Sequence, residues 1–106
     1  MQKYLIQANY VNEGVKGLLK EGGTSRRAAV EKLVKSLGGN IEAFYYAFGE
    51  TDVFVIAEVP DNASMASLAL TINASGAVTV KTTVLMTPEQ IDEAIKKAPS
   101  YQPPRQ

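Results

Sequence analysis

Residues 4–11 alternate between two sides, with Tyr4, Ile6, Ala8 and Tyr10 on one and Leu5, Gln7, Asn9 and Val11 on the other. That period predicts a β-strand. Asn12 to Lys20 fits a short helix, broken at Glu21-Gly22-Gly23. Thr24 or Ser25 is placed to cap a longer helix whose stripe is Ala29, Val30, Leu33, Val34 and Leu37, and Gly38-Gly39-Asn40 ends it. β-Branched and aromatic residues dominate 41–48 and 52–59, which predicts two antiparallel strands around the short turn Gly49-Glu50-Thr51. Pro60-Asp61-Asn62 opens a helix carrying Met65, Leu68, Ala69 and Ile72, and the Ser75-Gly76 turn closes it before a last strand, Ala77 to Met86. Thr87-Pro88-Glu89-Gln90 then has the makings of a capping box and predicts one more short helix, to Ala98.

The main unit therefore reads βαββαβ, its halves 3–48 and 52–86 each a strand, a helix, a glycine-terminated turn and a strand. This is the split βαβ plan of a ferredoxin-like α+β domain, with a four-stranded antiparallel sheet in the order 4-1-3-2. One domain spans residues 1–98, and the proline-rich segment 99–106 is a tail too poor in apolar residues to pack alone.

Strict alternation assigns two faces to that sheet. Ile6, Ala8, Ala43, Tyr45, Val53, Val55, Ala57, Val78, Val80 and Val84 form a nearly uncharged set suited to lie under the helices. Opposite them fall Phe44, Tyr46, Phe48, Phe54, Ile56 and Leu85, mixed with Gln7, Asn9, Glu58, Thr79, Lys81 and Thr83. Burying a large apolar side chain is worth roughly 1.5–3 kcal/mol, so leaving about five in water forfeits on the order of 10 kcal/mol. A whole domain is stable by only about 5–15 kcal/mol. The expectation is a homodimer in which two such faces cover each other, with the polar half lining a cavity.

Composition removes many alternatives. The chain has 106 residues, no cysteine and no histidine, so thiolate nucleophiles, imidazole bases and the usual zinc, copper and haem ligand sets are absent. No metal and no cofactor is expected. Eleven basic residues balance eleven acidic ones, and the longest basic runs are the pairs Arg26-Arg27 and Lys96-Lys97, which argues against nucleic acid as a partner. No apolar run reaches membrane-spanning length, and the reading is a cytoplasmic protein without a membrane partner.

Five side chains are candidates for a ligand site: Asn9, Tyr46, Glu58, Lys81 and Arg27. Glu58 and Lys81 share a face on strands three and four, with Gln7 or Asn9 of strand one between them, where a carboxylate beside Ile56 and Phe54 is the weak candidate for a base and Lys81 or Asn9 for an oxyanion partner. The alternative is that Glu58 pairs with a cation or tyrosine across a dimer. Tyr46 is the tyrosine expected to look into the interface, and Arg27 lies near a helix N-terminus, where Arg26 and Arg27 are suited to an anion. At the strand-two to strand-three turn, Gly49 tolerates positive φ and Asp52 can bond turn amides. Glu50 and Asp52 are alternatively a carboxylate pair for a cation or a proton.

Residues 43–61, AFYYAFGETDVFVIAEVPD, resemble the signature region of the GYD domain family. Gly49 and Asp52 match its glycine and aspartate, while Thr51 stands where the family has tyrosine. Gly14, Gly17, Arg27, Leu37-Gly38-Gly39 and Gly76 match as well, and the likeness covers residues 3–97. The resemblance implies a ferredoxin-like chain that forms a dimeric α/β barrel, in a family without an established activity. Three functions fit these observations: a homo-oligomeric module that binds or senses a small organic molecule, a cofactor-free enzyme of the monooxygenase or isomerase kind, and a structural assembly unit.

Overall fold

The computed structural model describes residues 1–104. Its elements are β1 (Gln2–Tyr10), α1 (Asn12–Glu21), α2 (Gly23–Ser36), β2 (Asn40–Tyr46), β3 (Val53–Val59), α3 (Asn62–Ala74), β4 (Val78–Leu85) and α4 (Pro88–Lys96). The strands form one antiparallel sheet in the order β2-β3-β1-β4, which is the expected 4-1-3-2 read from the other edge. Each strand is a residue or two shorter or longer than the alternation alone predicts. Residues 99–104 carry no regular structure, and the tail's last two residues lie outside the described ones.

The core is the face that α2 and α3 cover. Tyr4, Ile6, Ala8, Val53, Val55, Ala57 and Val59 supply it from the sheet, Val34 from α2, and Met65 and Leu68 from α3. Tyr4 brings a hydroxyl into this layer and satisfies it by donating to Asn62 Oδ1 at the start of α3, so no unpaired polar atom is buried there. Asp61 caps α3 by accepting from the Ser64 amide at 2.8 Å. Thr87 and Gln90 form the full capping box of α4.

The end of α2 is a Schellman motif: the Gly38 amide donates to Lys35 O at 2.9 Å and the Gly39 amide to Val34 O at 3.1 Å. Gly38 holds the positive φ, +82°, that the motif requires. Gly39 has a different role, because its Cα runs against the backbone of β3. The start of α2 departs from the sequence expectation. Neither Thr24 nor Ser25 caps it; the helix begins at Gly23, behind Gly22 at φ +87°, with no side-chain cap.

A larger correction concerns β2. Ile41 stands opposite Ala57 but Ala43 opposite Ile56, so Glu42 is an extra residue, a β-bulge. Beyond it every side chain of β2 switches sides. Phe44 and Tyr46, expected on the open face, lie on the helix side opposite Val55 and Val53. Ala43 and Tyr45, expected under the helices, lie on the open side opposite Ile56 and Phe54. The bulge thereby exchanges Ala43 for Phe44 against the core, a gain in apolar burial. Phe48 belongs to neither face; it sits in the turn and is fully exposed.

The open face still carries an apolar patch, made of Leu5, Ala43, Tyr45, Phe54, Ile56 and Leu85, with Tyr45 70 % and Phe54 37 % exposed. α4 is also unburied along its length, and its apolar pair Ile91 and Ile95 faces water. Among the described residues no helix is long and apolar enough to cross a membrane.

Candidate functional site

α2 packs chiefly on β2 and α3 on β4, so the two helices stand over opposite edges of the sheet. α2 is held close at its C-terminal end by fully buried Val34. Toward its N-terminus, the small side chains Ala8 and Ala29 leave space between sheet and helices. The result is an apolar slot of about 230 Å³ lined by residues of β1, β2, β3, β4, α2 and α3. Of the side chains lining it, Tyr10 and Arg26 alone carry polar atoms.

Three further hollows adjoin the slot through shared walls. One of about 450 Å³ is bounded by Tyr10, Val15, Leu18, Gly23, Tyr46, Phe48 and Asp52. A second, of about 380 Å³, brings Glu13 and Glu21 beside Tyr10 and Arg26. The third, about 310 Å³, lies between Arg27, Phe44, Tyr46 and the first residues of α2. The corner where β1 and β2 end and α2 begins thus gathers two tyrosines and two arginines around an apolar opening.

Tyr46 is fixed in this corner by its ring, edge-on to Phe44 at 5.4 Å between centroids, and by its hydroxyl, which donates to Gly23 O at 2.9 Å. Burial, followed by the neighbouring Tyr10 hydroxyl, pushes its pKa up to about 12 against the opposing pull of Arg26 and Arg27. A folded pKa above the ordinary tyrosine value stabilises the fold below pH ~10, and that contribution is lost as pH rises toward 12. Spectrophotometric titration of tyrosinate is expected to show a last component near pH 12 that Tyr46→Phe removes. Its survival in that variant would mean the corner is not packed as described.

The residues singled out from sequence divide into three groups. Tyr46 and Arg27 are brought together, on the helix side rather than in an interface; Arg27 Nε pairs with Glu31 at 3.5 Å along α2. Asn9 and Asp52 are brought together as a clasp: Asn9 Oδ1 accepts from the Asp52 amide at 2.9 Å, and Asp52 Oδ2 accepts from the Tyr10 amide at 3.0 Å. Both side chains tie the end of β1 to the turn. Gly49 needs no positive φ and has open space around it, so the reason given for a glycine there does not hold.

Glu58 and Lys81 are not brought together. Glu58 shares a row with Lys3, while Lys81 shares one with Gln7 and Phe54, four residues along and so about 13 Å away. Lys3 instead bridges the two glutamates of the open face, at 2.7 Å to Glu42 and 3.7 Å to Glu58. The hydrogen bond to Glu42 leads in holding the Lys3 ammonium above its ordinary pKa. Sequence reasoning missed Lys3 because the alternation is read there from Tyr4, whereas β1 begins at Gln2 and sets Lys3 in the same row as Glu58. It also passed over Tyr10 as a site residue, although the alternation of β1 already placed it on the helix side. Among the described residues, no three His, Cys, Asp or Glu side chains are grouped to hold a metal.

No curated protein and no solved structure matches this chain. The family model of the GYD domain does, over residues 4–95, which takes in all four strands but the first two residues of β1, all four helices but the last residue of α4, and the whole corner around Tyr10 and Arg26. The chain belongs to the GYD domain family.

Proposed function

We propose that the chain is a homodimeric small-molecule-binding module, its ligand held in the slot between sheet and helices and its open sheet face joined to a second copy. The slot carries this reading. Protein interiors are close-packed, and an apolar hollow bounded by a sheet and two helices, with a few polar groups at one corner, is the form that small-molecule sites take. The open face supports the second half, because Tyr45 and Phe54 are otherwise exposed and Ile56 and Leu5 only partly buried. Unburied Ile91 and Ile95 of α4 point to self-association as well. The separation of Glu58 from Lys81 and its pairing with Lys3 favour binding over the acid–base chemistry considered for that pair.

Native mass spectrometry of the purified full chain, compared under gentle and denaturing conditions, tests both halves. The expected result is a dimer carrying added mass that is lost on denaturation. A monomer at every concentration would overturn the dimer. A protein that neither carries nor takes up any small molecule would overturn the binding reading.

A further inference from the structure

The chemistry of the slot narrows what it can hold. Its depth offers no side-chain hydrogen-bond partner: Ile6, Val55, Leu68, Ile72, Val78 and Val80 are typical of its walls. A sugar, a polyol or a nucleobase would lose its water there without replacement, and burying an unpaired polar group is costly. The part of a ligand that enters is therefore hydrocarbon or aromatic.

The mouth is different. Arg26 brings the slot's single charge, and the Tyr10 hydroxyl is the other polar side-chain group on the lining. A guanidinium has five N–H donors in a planar fork suited to a carboxylate. Among the described residues its side-chain partner is Glu21, which one Nη1 contacts at 3.4 Å and which is itself half exposed. Arg26 thus already faces a carboxylate, in a long contact that leaves its other donors free for a second one. A cationic ligand would meet the guanidinium, and a doubly charged phosphate would meet Glu13 and Glu21 in the adjoining hollow. A single negative charge suits the balance. The slot's volume, about 230 Å³, falls below the ~300–1,000 Å³ of sites for drug-sized ligands, so the body is short.

We propose that the slot takes a small amphipathic monocarboxylate, its apolar body between the sheet and α2 and α3 and its carboxylate on Arg26. This rests on the slot being the ligand site, and the test keeps the two claims apart.

The test titrates the ¹⁵N-labelled full chain with hexanoate and with its neutral counterpart hexanamide, following amide shifts. Hexanoate is expected to move the resonances of Arg26, Leu33, Ile72 and Val78 and to bind about ten-fold more tightly than hexanamide, the gain from a charge-assisted contact. Arg26→Met keeps the stem, removes the charge and is expected to abolish that ten-fold difference. Glu21→Gln removes the competing carboxylate and is expected to tighten hexanoate binding. Equal binding of both probes in the slot would overturn the carboxylate assignment and leave the slot as a ligand site. Unchanged hexanoate affinity in Arg26→Met would overturn the assignment too. If neither probe moves slot resonances at millimolar concentration, or both act only on the open sheet face, both claims fall.

Discussion

Gly39→Ala is expected to destabilise the domain by about 3 kcal/mol, the upper end of ordinary overpacking, and to lower its melting temperature by on the order of 10 °C. A Cβ built on Gly39 would stand far inside contact distance of Glu58 O, with Val59 Cγ1 at 2.8 Å and Val34 Cγ1 at 3.1 Å. The first obstacle is backbone, hydrogen-bonded in the sheet, so it cannot swing aside as a side chain would. Val34 and Val59 are both fully buried and close the remaining directions. Either β2 moves away from β3 or the Schellman turn that ends α2 opens, and each loses hydrogen bonds as well as packing. Gly49→Ala is the matched control. It has no heavy atom within 4 Å and no positive φ, so its effect is expected within about 0.5 kcal/mol of zero. Thermal or urea unfolding followed by circular dichroism reads both. Equal stability of Gly39→Ala and the parent would mean that the α2–β2 junction does not approach β3 as described.

The contrast between these glycines shows what the sequence made legible. Gly38 and Gly39 follow an apolar helical stripe, and a helix end was correctly inferred from them, because a Gly pair at that position has a conformational cause. Periodicity likewise gave the order of strands and helices, since one buried face per element leaves a period of two or 3.6 in the residues themselves. Gly49 looked equivalent on paper, yet its surroundings impose nothing on it. The faces of β2 were illegible for a different reason. A bulge is a one-residue event in the pairing of two strands, and 41–48 is apolar on both sides, so neither register violates the pattern. Glu42 was the available signal: a charge within an apolar run, at the position where the pairing of β2 with β3 slips. Reading it as the slipped residue would have put Phe44 and Tyr46 under α2 and Tyr45 in the open.

The site was legible in part for the same reason. Tyr46 and Arg27 do meet, but the bulge carries Tyr46 to the helix side, so the corner they share lies behind the sheet and not in an interface. Asn9, Glu58 and Lys81 remain on the open face, the first in the clasp with Asp52, the second under Lys3. Slot and proposed interface therefore lie on opposite faces of one sheet, and a ligand can occupy the first without displacing a partner from the second. That separation makes the two halves of the proposed function independently testable.

Phe54→Lys is expected to weaken the proposed dimer by at least about 2 kcal/mol, some thirty-fold in the dissociation constant, while leaving the slot and the ligand binding proposed for it intact. Phe54 is the aromatic side chain on the interior strand β3 that points to the open face, cross-strand from Tyr45 and in the same row as Gln7. A two-fold interface uses the same patch from both chains, so the substitution is felt twice and brings two ammonium groups toward one desolvated surface. In the separate chain the cost is small, because Phe54 is 37 % exposed and a lysine stem can lie along Tyr45 and Ile56 with its charge in water. Leu70→Lys is the control: Leu70 is 71 % exposed on α3, away from the open face, and its replacement is expected to leave association unchanged. Sedimentation velocity across a concentration series reads the three proteins together. Dissociation in Leu70→Lys but not in Phe54→Lys would place the contact on the helix side, and there the slot and the interface would no longer be independent.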